Sequence, residues 1–138
     1  GHYKKKHIQL GLTIGILQTA IMLTLLYLMI DIPIFQQALG VKETSFHIGL
    51  VAFGLLYTPL SMLLGIVTNI ISRKNEFEAD AFTAQHGLAH ELEDALKKLS
   101  SDNLSNLTPH PWYVFFHYSH PPLLERLNAI NKYKNNTI

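Results

Sequence analysis

Two stretches of the sequence, Ile8 to Ile30 and Ile48 to Ile71, hold no charged side chain, and polar segments lie between and after them. Drawn out as α-helices at 1.5 Å per residue, each reaches about 35 Å, more than the roughly 30 Å of a bilayer's hydrocarbon core. Both are therefore predicted to be transmembrane helices, with spans at about 8–30 and 48–71. The first run is too long for a signal peptide and lacks a small-residue cleavage site. Two buried helices of a large soluble protein fit less well, because uncharged runs of this length are the membrane signature.

The flanks orient the pair. Lys4, Lys5 and Lys6 precede the first span and Arg73 and Lys74 follow the second, whereas the connecting loop from Asp31 to His47 holds one lysine against one aspartate and one glutamate. The positive-inside rule then places both ends on the cytoplasmic side and the loop outside. Residues 1–72 read as a transmembrane hairpin, with Pro33 and Gly40 breaking the loop and "IPIF" able to dip back into the interface. Pro59 predicts a kink, and Thr58, Ser61 and Asn69 need partners inside a bundle. Two helices do not supply them all on this reading, which points to a larger membrane assembly.

Residues 73–138 read as a cytoplasmic-side helical segment. The helical pattern runs on through "NEFEADAFTAQHG", with Phe77, Ala81 and Ala84 on one side and Gly87 as the C-terminal cap. A second amphipathic helix covers about His90 to Leu99, with Leu92, Ala95, Leu96 and Leu99 as its apolar stripe. After the polar loop "SSDNLSNLTPHP" comes an aromatic patch, "WYVFF". A last helix begins near Pro121, which suits a first turn, and carries Leu123, Leu124, Leu127 and Ile130 on one face.

Composition narrows the functional classes. A formal charge of +1 gives no basic field for nucleic acid, and only 6 of the 21 Asp, Glu, Lys and Arg residues precede Ser72. There is no cysteine, hence no disulfide, thiolate metal site or cysteine nucleophile.

Three groups of residues could carry chemistry. Glu76 and Asp80 are four apart on the predicted helix and share a face, while Glu78 points away. As like charges they repel, so the pair either forms a solvated acidic face or serves a metal ion. In the second case one carboxylate ligates zinc and the other steadies a ligand histidine. The opening "GHYKKKH" places His2 and His7 five apart, which is not the spacing of a helical zinc pair, and reads either as a polar flank or as the tail of H-E-x-G-H. In "HYSHPPLLERL", His120 stands before a proline and a helix, close to that helix's positive end. His120 is thus an electrophilic helper or an N-cap, His117 a further candidate or a member of the aromatic patch, and Arg126 a partner for Asp80 or a solvated cation.

Taken in order, "GHYKKKH", "SRKNEFEAD" and "HYSHPPLLERL" closely resemble the C-terminal part of the CAAX prenyl endopeptidases, integral-membrane zinc metalloproteases of the a-factor-converting-enzyme type. The resemblance covers nearly the whole chain, and "HYSHPPLLERL" is its most specific piece. It implies an all-α fold: two transmembrane helices in a hairpin plus a C-terminal helical segment, part of a larger multi-helix membrane protease whose helices enclose a chamber. By resemblance His2 and Glu76 are ligands of Zn2+, Asp80 and Arg126 support them, and His120 is the catalytic group that helps position or stabilise the reacting carbonyl. The first zinc histidine and the catalytic glutamate of H-E-x-x-H do not occur in these residues, so the chain alone is expected to be inactive.

The implied partners are a protein or peptide substrate, prenylated at a C-terminal cysteine and cleaved of its last three residues, the lipid bilayer, and the remaining N-terminal helices of the same enzyme. Nucleic acid is not among them. In bacterial-type relatives the substrate is instead expected to come from membrane-protein quality control. The expected location is a bacterial inner membrane or the endoplasmic reticulum, as a multi-pass protein. The competing readings are a catalytically inactive membrane interaction module and a transporter or channel element.

Overall fold

The computed structural model describes residues 6–135. Six helices follow one another: α1 (His7–Asp31), α2 (Pro33–Gln37), α3 (Phe46–Gln85), α4 (Ala89–Asp102), α5 (Pro111–His117) and α6 (Leu123–Asn135). No strand occurs among the described residues, so the all-α expectation holds. The chain divides into two compact units, one from Leu10 to Gly65 and the other from Ile66 onward together with the residues before Leu10.

The first unit is the apolar hairpin. Its two helices are long and apolar enough to cross a membrane. Leu12, Ile16, Leu17, Leu55 and Leu63 stand exposed, as expected of helices that are hydrophobic on every side and meet lipid instead of water. The hydroxyls that were expected to need further helices are satisfied within their own. Thr58 Oγ1 donates to Gly54 O at 2.7 Å and Ser61 Oγ to Thr58 O at 2.8 Å, because a hydroxyl on Cβ reaches back one turn. Helix α3 passes through Pro59 as a single element of 40 residues. At about 60 Å it is twice as long as a bilayer core requires, which lets one helix supply both a span and the charged run after Ile71.

The turn of the hairpin is closed by one side chain. A helix leaves its last carbonyls without partners, and in an apolar medium each such group is costly. Gln36, only 1% exposed, donates through Nε2 to Met29 O at 3.1 Å and Ile30 O at 3.0 Å, and its Oε1 accepts from the Ser45 N–H at 2.9 Å. It thereby ties the end of α1 to the start of α3. Beside it Gly49 allows a close approach: a Cβ there would lie 2.9 Å from both Ile30 Cα and Met29 O.

In the second unit α4 packs on α6 around Ala84, Ala89, Leu96 and Ile130, with Leu92 and Leu123 at the edge. The face of α4 is turned by about one residue from the predicted stripe. Ala89, Leu92, Glu93 and Leu96 face inward, whereas Ala95 and Leu99 are exposed. Glu93 hid the phase, since a carboxylate is the last residue expected inward; it is 7% exposed and reaches toward Lys97 Nζ at 3.9 Å. Leu124 is likewise exposed. The α6 helix begins after both prolines, with the Glu125 and Arg126 N–H groups donating to Pro122 O at 3.1 and 3.2 Å.

Gly87 ends α3 as the sequence suggests. With φ at +82° it lets the Leu88 N–H reach back to Thr83 O while its own N–H donates to Ala84 O, which satisfies two terminal carbonyls.

Substituting Gly49→Ala is expected to destabilise the protein by about 1–3 kcal/mol, because the atoms that must yield are backbone. Thermal unfolding in detergent or lipid checks this, with Gly54→Ala, which meets nothing within 4 Å, expected to unfold like the parent.

Candidate functional site

Beyond Ile66, α3 carries a polar stripe at helical spacing: Asn69, Arg73, Glu76 and Asp80. Steps of four, three and four residues keep these side chains on one face. The first two address α5. Asn69 Nδ2 donates to Phe116 O at 3.2 Å, and Arg73 Nη1 donates to Val114 O at 3.1 Å and to Tyr118 O. The last carbonyls of α5 are thus met by a cation and an amide, the arrangement a helix C-terminus favours. The aromatic patch expected from "WYVFF" is this short helix, started by the His110 side chain accepting from the Trp112 N–H at 3.3 Å.

The second pair addresses α6. Arg126 forks onto Asp80, with Nε to Oδ2 and Nη2 to Oδ1 both at 2.7 Å, and its Nη1 lies 3.0 Å from Glu76 Oε2. All three side chains are largely withdrawn from solvent, at 14%, 4% and 15% exposure for Arg126, Asp80 and Glu76. Burial alone would push the Arg126 pKa down. The hydrogen bond and charge of Asp80, with the charge of Glu76, outweigh it and hold the guanidinium above its ordinary value. Planar bidentate pairing of this kind suits arginine and carboxylate and does not suit lysine.

The other oxygen of Glu76 faces the segment between α5 and α6. His120 Nδ1 lies 3.2 Å from Glu76 Oε1, and its ring is 68% exposed. A cleft of about 440 Å³ opens beside it, lined by Leu96, Leu99, Tyr118, His120, Leu123 and Arg126 among others.

The structure therefore brings together Glu76, Asp80, Arg126 and His120 from the predicted site. His117 also lines the cleft and leans on Tyr113, with ring centroids 4.8 Å apart. His2 lies outside the described residues. Both oxygens of Asp80 go to Arg126, the pairing offered for that arginine, and Arg126 in turn reaches Glu76. Sequence reasoning missed Arg73 and Asn69 as partners of α5, although their spacing with Glu76 and Asp80 is legible as one stripe. It also missed His7, which is buried and bonds Glu78 Oε2 through Nε2 at 3.2 Å.

Among the described residues no three His, Asp or Glu side chains converge as a ligand set. Two features nevertheless fit a cation. By formal charge two carboxylates face one guanidinium, which leaves the cluster with an excess of negative charge, and a carboxylate beside an imidazole is a donor set that zinc accepts.

Removing the fork is expected to leave Asp80 buried without its guanidinium and Glu76 without one of its partners. Arg126→Met should lower stability by about 3–5 kcal/mol, and Arg126→Lys by less. Denaturant unfolding of both variants checks this, and Asp80→Leu added to Arg126→Met is expected to restore part of the loss.

Comparison with known proteins follows the same lines. The model for peptidase family M48 matches residues 1–134. A CAAX prenyl protease 1 homolog from Oryza sativa subsp. japonica is 44% identical over 94 residues, covering 68% of this chain and 22% of that protein. Its human counterpart of the same name is 34% identical over 136 residues, covering 97% of this chain and 29% of that protein. A crystal structure of S. mikatae Ste24p superposes with a TM-score of 0.78 at 32% identity, over 95% of this chain and 34% of that one. The chain thus spans less than a third of the length of these curated relatives.

Proposed function

The chain belongs to peptidase family M48, and on that premise we propose that it forms the C-terminal portion of an integral-membrane zinc metalloendopeptidase that removes the C-terminal tripeptide of prenylated CAAX proteins. One observation supports the reading above the others: Glu76 is fixed on one side by Arg126 and meets His120 on the other, and both of these partners line a cleft. What favours a protease over an inactive interaction module is the match to peptidase family M48.

His2 and Glu76 are the residues of this chain that would hold the metal, the remaining histidine coming from elsewhere in the enzyme. Bound there, zinc supplies Lewis acidity, making water a stronger acid and polarising the scissile carbonyl. The protein's own part is orientation. Arg126 takes Oε2 of Glu76 and Asp80 locks Arg126, so the carboxylate has one setting instead of many. His120, exposed and tethered between α5 and α6, donates a hydrogen bond to the carbonyl oxygen as negative charge gathers on it. The apolar wall of Leu96, Leu99 and Leu123 offers a place for the substrate chain beside that histidine. With lysines before α1 and Arg73 and Lys74 at the other flank, both ends of the segment are assigned to the cytoplasmic side.

In the full-length enzyme Glu76→Gln is expected to lower zinc content and release of the tripeptide from a farnesylated peptide together. Unchanged activity would remove Glu76 from the site. His120→Ala is expected to reduce turnover by about 10²-fold or more with zinc retained, judged against the loss of a single oxyanion donor. Loss of the metal in that variant would make His120 a ligand.

A further inference from the structure

The mechanism leaves one titratable pair unused. His7 opens α1 and is 7% exposed, and its Nε2 lies 3.2 Å from Oε2 of Glu78, across 71 positions of sequence. A buried imidazole needs a hydrogen-bonding partner, and a carboxylate supplies a charge-assisted one. Lys74 also approaches Glu78, at 3.9 Å, but its side chain is 76% exposed and adds little.

The residue before this contact is unusual. Lys6 has φ at 58°, in the left-handed region that costs a residue with a side chain about 1–2 kcal/mol. Such a conformation persists only where its surroundings fix it, and the bond of the next residue to Glu78 is the contact beside it. The start of α1 is thereby tied to α3 two positions beyond Glu76.

We infer that His7 and Glu78 are positioning residues that clamp the start of α1 to α3 and thereby set the enzyme's grip on its metal. This rests on the metalloprotease reading. A ligand at His2 lies five residues from the clamp, and five residues of chain span at most about 17 Å. With His7 beside Glu78, two positions from Glu76, that short tether bounds how far a ligand at His2 can stand from Glu76. Without the clamp, the link between the two ligands within this chain is the whole length of α1 through α3, and the loss of effective concentration is felt as weaker metal binding.

The test uses the full-length zinc enzyme and reads metal retention against a competing chelator, with thermal unfolding of the metal-free protein as control. His7→Leu and Glu78→Ala are each expected to weaken zinc binding by about 10–100-fold, the range for residues that orient ligands. Excess zinc should restore turnover. The double variant should be no worse than either single one. His7→Gln keeps a donor and is expected to retain zinc better than His7→Leu. Glu78, with 40% of its side chain exposed, can be truncated without opening a core, so Glu78→Ala carries the test if His7→Leu fails to fold. Unchanged zinc retention in Glu78→Ala, or His7→Gln as weak as His7→Leu, overturns the clamp. If Glu76→Gln loses zinc while the clamp variants keep it, the clamp alone is wrong. A parent enzyme that holds no zinc overturns the metalloprotease reading, and the clamp with it.

Discussion

A guanidinium withdrawn from water and shared between two carboxylates is the contact on which the second unit depends. Arg126 on α6 meets Asp80 and Glu76 on α3, and none of the three tolerates being left alone in that setting. The fork fixes where α6 lies along α3. It also fixes where α6 begins, and His120 stands three residues before that point. At the other end of the same segment Arg73 and Asn69 hold the last carbonyls of α5. The run from Tyr118 to Pro122 is thus secured on both sides by side chains of one helix face, and the imidazole that meets Glu76 is presented from a short, tethered span of backbone.

The parts of this arrangement that were legible in the sequence are those that follow from periodicity and charge. Uncharged runs long enough for a bilayer became α1 and the first part of α3, and Gly87 ended α3 where a left-handed residue was needed. The shared face of Glu76 and Asp80 follows from a spacing of four. What the pattern concealed were contacts between a side chain and distant backbone. Nothing local marks Arg73 as the cap of a helix some forty residues later, or Gln36 as the partner of two carbonyls in the preceding helix. Glu93 misled in the opposite way, because an inward carboxylate breaks the very alternation from which the face of α4 is read.

The charged cluster after Ile71 also shows how one helix serves two environments. Apolar side chains surround α3 while it runs through lipid. Toward its C-terminal end the same helix offers Asn69, Arg73, Glu76 and Asp80 along one stripe and Glu78 on another: the first two are answered by α5, the next two by α6, and Glu78 by the start of α1. The small net charge of the chain as a whole, +1, conceals this concentration. The stripe sums to one positive and two negative groups, close enough to neutral to be buried and negative enough to favour a cation.

Gln36 has a consequence for how such a protein is made. Its amide answers carbonyls of α1 and an amide of the residue before α3, so these three groups at the bend between the two long helices are met by the protein itself. A nascent pair of helices closed in that way can leave the insertion machinery together, already folded back on itself.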